Sequence, residues 1–186
     1  GNDPSKAAQQ ISLTDLGSIK VDKKETKQMA ATIPRSSILG FIIGVLPGAG
    51  ATIASFLAYG MERNFVKSEE KEKFGKGSVQ GLSAPETANN AACSGSFVPL
   101  LTLGIPGSGT TAVMLGALLG FGIQPGPRLY QTNPDIFWSV IMSMYIGMVV
   151  LLILNLPLIP YIARILAVPR TFLIPMILFF SVTGIY

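Results

Sequence analysis

Charged and apolar residues are separated along this chain into long blocks rather than mixed in short periods. Residues 1–35 are polar and rich in lysine, residues 36–60 carry no charge, residues 61–76 are polar again, and a long apolar region follows. The uncharged block exceeds the roughly 20 residues that one membrane-spanning helix needs. The pattern predicts an all-α polytopic membrane protein, with 1–35 as a polar extramembrane connector and 36–186 as the membrane domain.

Proline, glycine and capping residues predict the elements inside this membrane domain. Pro34 followed by Ser36 and Ser37 predicts a helix start, and Asn133-Pro134-Asp135 predicts another, with Asn as N-cap and Pro at the first helical position. We expect the following order of segments: a re-entrant or broken helix over 36–60, a cytoplasmic loop over 61–76, small-residue-rich broken helices over 77–127, a spanning helix over 134–163, and the start of another span over 171–186.

The same short pattern interrupts two of the apolar segments. Residues 47–52 (PGAGAT) and 106–111 (PGSGTT) share a Pro-Gly-small-Gly-small-Thr core. At membrane depth, non-helical backbone is tolerated only where it is buried in protein or lines a wet cavity. Paired discontinuous segments are the best sequence pointer to the binding site of a secondary transporter.

A helix that begins at such a break presents free N–H groups and a partial positive charge to the gap. This arrangement suits a carboxylate and needs no basic side chain. The alternative is that both breaks are packing kinks, which are common in membrane helices. The candidate substrate-binding residues are Pro47, Gly48, Ala49, Gly50, Thr52, Pro106, Gly107, Ser108, Gly109 and Thr110, with Thr111 as a further hydroxyl donor.

Basic residues flank the first break on both sides. The positive-inside rule therefore places both flanks in the cytoplasm. A re-entrant hairpin with its tip near the membrane midplane satisfies this placement, and a kinked single span is the alternative. The flanking residues are Lys20, Lys23, Lys24, Lys27 and Arg35 before the block, and Arg63, Lys67, Lys71, Lys73 and Lys76 after it.

Glu86 is the only acidic residue between Lys76 and Asp135. An ionisable group inside a membrane is costly and is a functional hypothesis by default. Glu86 could be a sodium ligand, a proton carrier or the partner of Arg128; alternatively, it caps a helix at the water interface. The candidate coupling-ion residues are Glu86, Thr87 and Asn89, and the amides of Asn89 and Asn90 could also bind substrate.

Arg128 directly follows the rigid Pro125-Gly126-Pro127 turn. It could attract an anionic substrate at the outer mouth of the protein. The residues alone favour a simpler role as an interfacial anchor.

Composition supports the membrane class and excludes several others. Charged residues make up 13% of the chain and the mean hydropathy is +0.50, whereas soluble domains average about 25% charged residues. The lysines are interleaved with acids and lack stacking aromatics, so we expect no nucleic-acid binding despite a net charge of +4. One cysteine, Cys93, and no histidine exclude a disulfide framework, a histidine metal site and Ser-His chemistry within this sequence.

Five runs of residues together resemble one known family. They are 44–51 (GVLPGAGA), 74–77 (FGKG), 84–91 (APETANNA), 98–107 (VPLLTLGIPG) and 122–127 (GIQPGP). In this order they are similar to the large membrane subunit of bacterial tripartite tricarboxylate transporters, the TctA family, over about 38–186. Thr87 stands where the family usually has serine, which keeps the hydroxyl.

The resemblance implies a multi-pass permease of the bacterial cytoplasmic membrane. It implies import of citrate-like di- or tricarboxylates driven by a sodium or proton gradient, without a further cofactor and without enzymatic activity. It also implies two partners, a small membrane subunit and a periplasmic solute-binding protein. This chain would then be a fragment of a longer inverted-repeat permease. The alternatives are a non-transporting structural membrane subunit and an intramembrane enzyme.

Overall fold

The computed structural model describes residues 21–163 and 170–185, and every regular element among them is a helix. The predicted all-α class is therefore confirmed. The described residues divide into two compact units, Val21–Met144 and the remainder from Tyr145 onwards. The helices are α1 (Lys23–Val45), α2 (Gly50–Phe65), α3 (Ser68–Lys71), α4 (Val79–Gly95), α5 (Phe97–Leu103), α6 (Gly109–Gly120), α7 (Leu129–Thr132), α8 (Pro134–Ala163) and α9 (Arg170–Ile185).

The helix start predicted at Ser36 is wrong, because α1 begins at Lys23. Asp22 caps this helix: its carboxylate accepts the Lys23 N–H at 2.7 Å, and its own N–H donates to the Glu25 carboxylate at 2.9 Å. Such a capping box satisfies N–H groups that the first turn leaves free. The residues after it are mostly good helix formers, so the helix continues through Pro34. The part of the predicted connector before residue 21 lies outside the described residues, and the extramembrane position of the rest stays a prediction.

Helices α1 and α2 form an antiparallel hairpin. Glu62, near the end of α2, hydrogen-bonds to Thr32 and Arg35 near the middle of α1. The chain therefore reverses direction between the two helices, at residues 46–49, which contain the first Pro-Gly break. The hairpin is an observed feature of the fold, whereas its depth in a membrane stays a prediction.

Helix α4 packs against both arms of this hairpin. A Cβ atom added at Gly40 or Gly44 of α1 would overlap the backbone of Ala88 or Ala92 of α4. Because both pairs differ by the same number of residues, α4 runs parallel to α1. It runs antiparallel to α2, since Gln80 at the start of α4 donates to Glu62 near the end of α2, whereas Pro85, later in α4, accepts from Ser55, earlier in α2.

Small residues make this three-helix packing possible. Gly95 at the end of α4 lies so close to α1 that an added Cβ would come within 2.6 Å of the Phe41 carbonyl oxygen. The buried residues between the helices are largely alanines, namely Ala54, Ala58, Ala84, Ala88 and Ala92. Small side chains let helix backbones touch, which is how helices associate where lipid removes the hydrophobic driving force.

By length and composition, two of the described helices could cross a membrane: Lys23–Val45 and Pro134–Ile159. Only 6% of the apolar stretch in the second is buried within the protein. A core helix of a soluble domain would be covered by its neighbours, so this exposed apolar surface suits lipid or another membrane helix. The helix starts at Pro134, where Asn133 was expected to be the cap, and the Asn133 carbonyl accepts the Phe137 N–H at 3.1 Å.

Candidate functional site

The first break is an open turn between α1 and α2. Gly48 and Gly50 have φ angles of +82° and +71°, in the left-handed region. A Cβ at either position would meet no atom within 4 Å. Backbone conformation, rather than lack of space, therefore requires glycine here, and the space beside both residues is free for a ligand.

The N-terminus of α2 lacks a side-chain cap. Its N-cap residue is Ala49, which offers no hydrogen-bond acceptor. The N–H groups of the first turn of α2, which includes the exposed Thr52, therefore have no capping side chain at the open turn between α1 and α2.

The second break has a different local structure. Ser108 caps α6: its hydroxyl accepts the Thr111 N–H at 3.3 Å, and the Thr111 hydroxyl accepts the Ser108 N–H at 2.8 Å. Thr111 is only 1% exposed, so its hydroxyl serves the cap. Gly109 and Thr110 are exposed in the first turn, and a Cβ at Gly109 would have open space around it.

The second break lies against the end of α1. A Cβ at Gly107 would come within 3.0 Å of Ser96 Cβ and 3.3 Å of the Gly44 carbonyl oxygen. Gly44 precedes Pro47 by only three residues. The second break therefore packs against the end of α1 that leads into the first break, a relation that the sequence left open.

Helix α4 presents the predicted coupling residues in two directions. Glu86 and Asn90 are exposed, and the Asn90 amide donates to the Glu86 carboxylate at 3.2 Å. Asn89 and Thr87 are half-buried, and the Asn89 amide donates to Ser55 Oγ of α2 at 3.3 Å. Glu86 and Asn90 therefore form one exposed pair, while Asn89 links α4 to the arm that begins at the first break.

A buried polar cluster at the open end of the hairpin was not foreseen. Glu62, expected in a polar loop, is completely buried. Its Oε1 atom accepts hydrogen bonds from Thr32 Oγ1 at 2.7 Å, Arg35 Nη2 at 2.7 Å and Gln80 Nε2 at 3.2 Å. The signal was the spacing of Ala54, Ala58 and Glu62, which places the carboxylate on the buried face of α2.

This cluster joins all three packed helices at one point. Thr32 and Arg35 belong to α1, Glu62 to α2 and Gln80 to α4. The Arg35 guanidinium also lies 4.9 Å from the centroid of the Phe65 ring, a favourable cation–π distance. Since a buried carboxylate without a cation is costly, these three helices are expected to separate together or not at all.

The cluster predicts an asymmetric effect of mutations on stability. Arg35→Met should lower the free energy of unfolding by about 3 kcal/mol, because it leaves the Glu62 charge buried without its cation. Adding Glu62→Met should recover part of this loss, because the uncompensated charge is then removed. Denaturant unfolding of the full-length protein in detergent would measure both, as a double-mutant cycle.

Arg63, an exposed arginine next to Glu62 on α2, supplies the control. Arg63→Met should change the unfolding free energy little. If Arg35→Met costs no more than Arg63→Met, or if the double variant is less stable than Arg35→Met alone, Glu62 and Arg35 do not form the stabilising pair described.

Comparison with protein families gives a match over nearly the whole chain. The model of the tripartite tricarboxylate transporter TctA family matches residues 2–186. No solved structure matches the chain.

Two proteins of Agrobacterium vitis are similar in sequence. The "uncharacterized 52.8 kDa protein in TAR-I ttuC' 3'region" is 44% identical over 166 residues, which cover 89% of this chain and 33% of that protein. The "uncharacterized protein in TAR-II ttuC' 3'region" is 46% identical over 147 residues, which cover 79% of this chain and 60% of that protein. The chain thus spans about one third of the length of the first relative and three fifths of the length of the second.

Proposed function

The chain belongs to the tripartite tricarboxylate transporter TctA family, and on that premise we propose that it forms part of a permease subunit for di- and tricarboxylates. The family is one of transporters rather than enzymes, and a tripartite transporter implies partner subunits. We take these partners to be a small membrane subunit and a periplasmic solute-binding protein. The membrane would be the bacterial cytoplasmic membrane.

The contact of the second break with the end of α1 carries the proposed site. Gly107 packs beside the Gly44 carbonyl at the end of α1, so both interruptions belong to one region of the protein. The uncapped N-terminus of α2 and the exposed first turn of α6 at Gly109 supply N–H groups and partial positive charge. These groups would bind substrate carboxylates, as helix N-termini bind other anions.

Transport requires that this region be reached from both membrane faces. As a re-entrant element, the α1–α2 hairpin would place residues 47–52 near the midplane, and movement of the hairpin with α4 would change the face to which the site opens. The Glu62 cluster and the glycine contacts would keep the three helices together during this movement.

The site at the breaks predicts a position-specific effect on uptake. Gly109→Leu should raise the KM for labelled citrate at least about tenfold. An anion site without a basic side chain depends on close approach of the anion to backbone N–H groups, and the leucine side chain would block that approach. Uptake by the complete transporter in proteoliposomes would measure it.

Gly116→Leu is the matched control, because Gly116 lies two turns later in α6 and also has open space for a side chain. It should retain wild-type kinetics. Wild-type kinetics in Gly109→Leu as well would argue for a purely structural subunit.

Coupling to an ion gradient would use the exposed Glu86 carboxylate of α4, which offers oxygen atoms for sodium or a site for a proton. Thr87 and Asn89 would contribute only from the half-buried sides of the same helix. Glu86→Gln should therefore abolish the dependence of citrate uptake on sodium or on the pH gradient. Glu69→Gln, at an exposed carboxylate of α3, should leave that dependence intact. If the Glu86 variant keeps both dependences, another group couples transport to the gradient.

A further inference from the structure

The loop between α6 and α7 is held firmly against the end of α5. Gly104, the C-cap of α5, has a φ of +72°, and an added Cβ would come within 2.7 Å of the Pro125 carbonyl oxygen. The Gly126 N–H donates to the Leu101 carbonyl at 3.3 Å, and Leu129 is only 1% exposed. These contacts fix the position of the chain on both sides of Arg128.

This loop lines an open cavity of about 490 Å³, and the side chains of Gln124 and Arg128 are exposed in it. Its polar lining residues are Gln124, Arg128, Thr132 and Asn133, and the remaining lining comes from glycine and proline. Arg128 is the only charged residue in the lining. Neither its guanidinium nor the Gln124 amide hydrogen-bonds to any other residue within the described part of the chain.

The donors and acceptors in the cavity suit one class of anion. A guanidinium binds a carboxylate through two parallel hydrogen bonds, and the amides of Gln124 and Asn133 offer both N–H donors and carbonyl acceptors. Since the Asn133 amide nitrogen donates to Thr132 Oγ1 at 3.2 Å, its carbonyl oxygen is left to accept a hydrogen bond from a ligand. A hydroxycarboxylate uses all of these groups, with its carboxylate on the guanidinium and its hydroxyl on an amide oxygen.

We propose that this cavity is a second anion site, in which Arg128 captures a carboxylate of a hydroxycarboxylate substrate. The proposal rests on the carboxylate permease function proposed above. It assigns Arg128 a binding role instead of the anchoring role that the sequence favoured, because Arg128 lines an open cavity on a loop held against α5 and the lining residues include no carboxylate.

The cavity and the breaks lie at opposite ends of α5. Gly107 contacts Ser96 at the N-terminal end of this helix, and Pro125 contacts Gly104 at its C-terminal end. A helix of 7 residues is about 10 Å long, so one carboxylate group does not contact both places. The Arg128 cavity is therefore a binding site separate from the one at the breaks.

Aromatic residues beside the cavity indicate its depth. Tyr130 and Phe137 lie with ring centroids 5.7 Å apart, and Phe137 and Trp138 with centroids 5.5 Å apart. Tyrosine and tryptophan concentrate at the membrane–water interface. At this depth the Arg128 charge meets substrate arriving from water, before the substrate reaches the breaks.

Calorimetric titration of the purified full-length subunit with citrate tests the proposal. Arg128→Gln should weaken citrate binding about tenfold or more, because a charge-assisted bidentate contact is lost, and Arg128→Lys should fall in between. Arg63→Gln, at an exposed arginine outside the cavity, should bind as the wild type does.

Tricarballylate, which has the three carboxylates of citrate but no hydroxyl, tests the ligand class. Asn133→Leu should weaken citrate binding several-fold and leave tricarballylate binding unchanged, because the citrate hydroxyl loses the carbonyl oxygen that accepts its hydrogen bond.

Several results would overturn the proposal. One is wild-type citrate binding in Arg128→Gln, even where uptake still depends on Gly109; the permease function would then stand without the second site. Another is an effect of Arg128→Gln that appears only when the solute-binding protein is added, which would make Arg128 a docking contact. Competition by phosphatidylglycerol vesicles that matches competition by citrate would make it a lipid anchor.

Discussion

The direct backbone contact between α1 and α4 determines the arrangement of the other parts. Gly40 and Gly44 lie where any side chain would overlap the backbone of Ala88 or Ala92. In lipid, apolar side chains gain nothing by leaving their surroundings, so such close contact is the main source of attraction between helices. The same contact brings the end of α1 to Gly95, and the chain after Gly95 then returns to place Gly107 against Gly44. The proximity of the two breaks is thus a consequence of glycine and alanine at the helix contact.

The opposite end of the bundle is held by charge rather than by backbone contact. Glu62 accepts hydrogen bonds from two residues of α1 and one of α4. A buried carboxylate in this position penalises separation of any one helix. The hairpin is therefore fixed at its open end by polar groups and at its closed end by small residues, while the turn at Gly48 and Gly50 stays open to its surroundings. A rigid body with one open glycine turn suits a binding element that moves as a unit.

Local signals identified the breaks, and tertiary packing explains what was missed. The glycines at 48 and 50 were foreseen as irregular backbone, and both have positive φ. The start of α1 was misplaced because lysines suggested an extramembrane segment, although Asp22 and Glu25 carried a capping signal. Glu62 was assigned to a loop because its burial depends on contacts with α1 and α4, which no local pattern contains. Likewise, Glu86 and Asn89 are only three residues apart in sequence, but the rotation of the helix between them turns only Asn89 towards α2.

We propose that the α1–α2 hairpin enters and leaves the membrane at the same face. Single cysteines at Lys24 and Lys67, in an otherwise cysteine-free full-length protein with Cys93→Ser, test this claim by labelling with a membrane-impermeant maleimide. A cysteine at Arg128 reports the opposite face. We expect positions 24 and 67 to be both labelled in inside-out vesicles and both protected in right-side-out vesicles. Labelling of the two positions from opposite faces would contradict it.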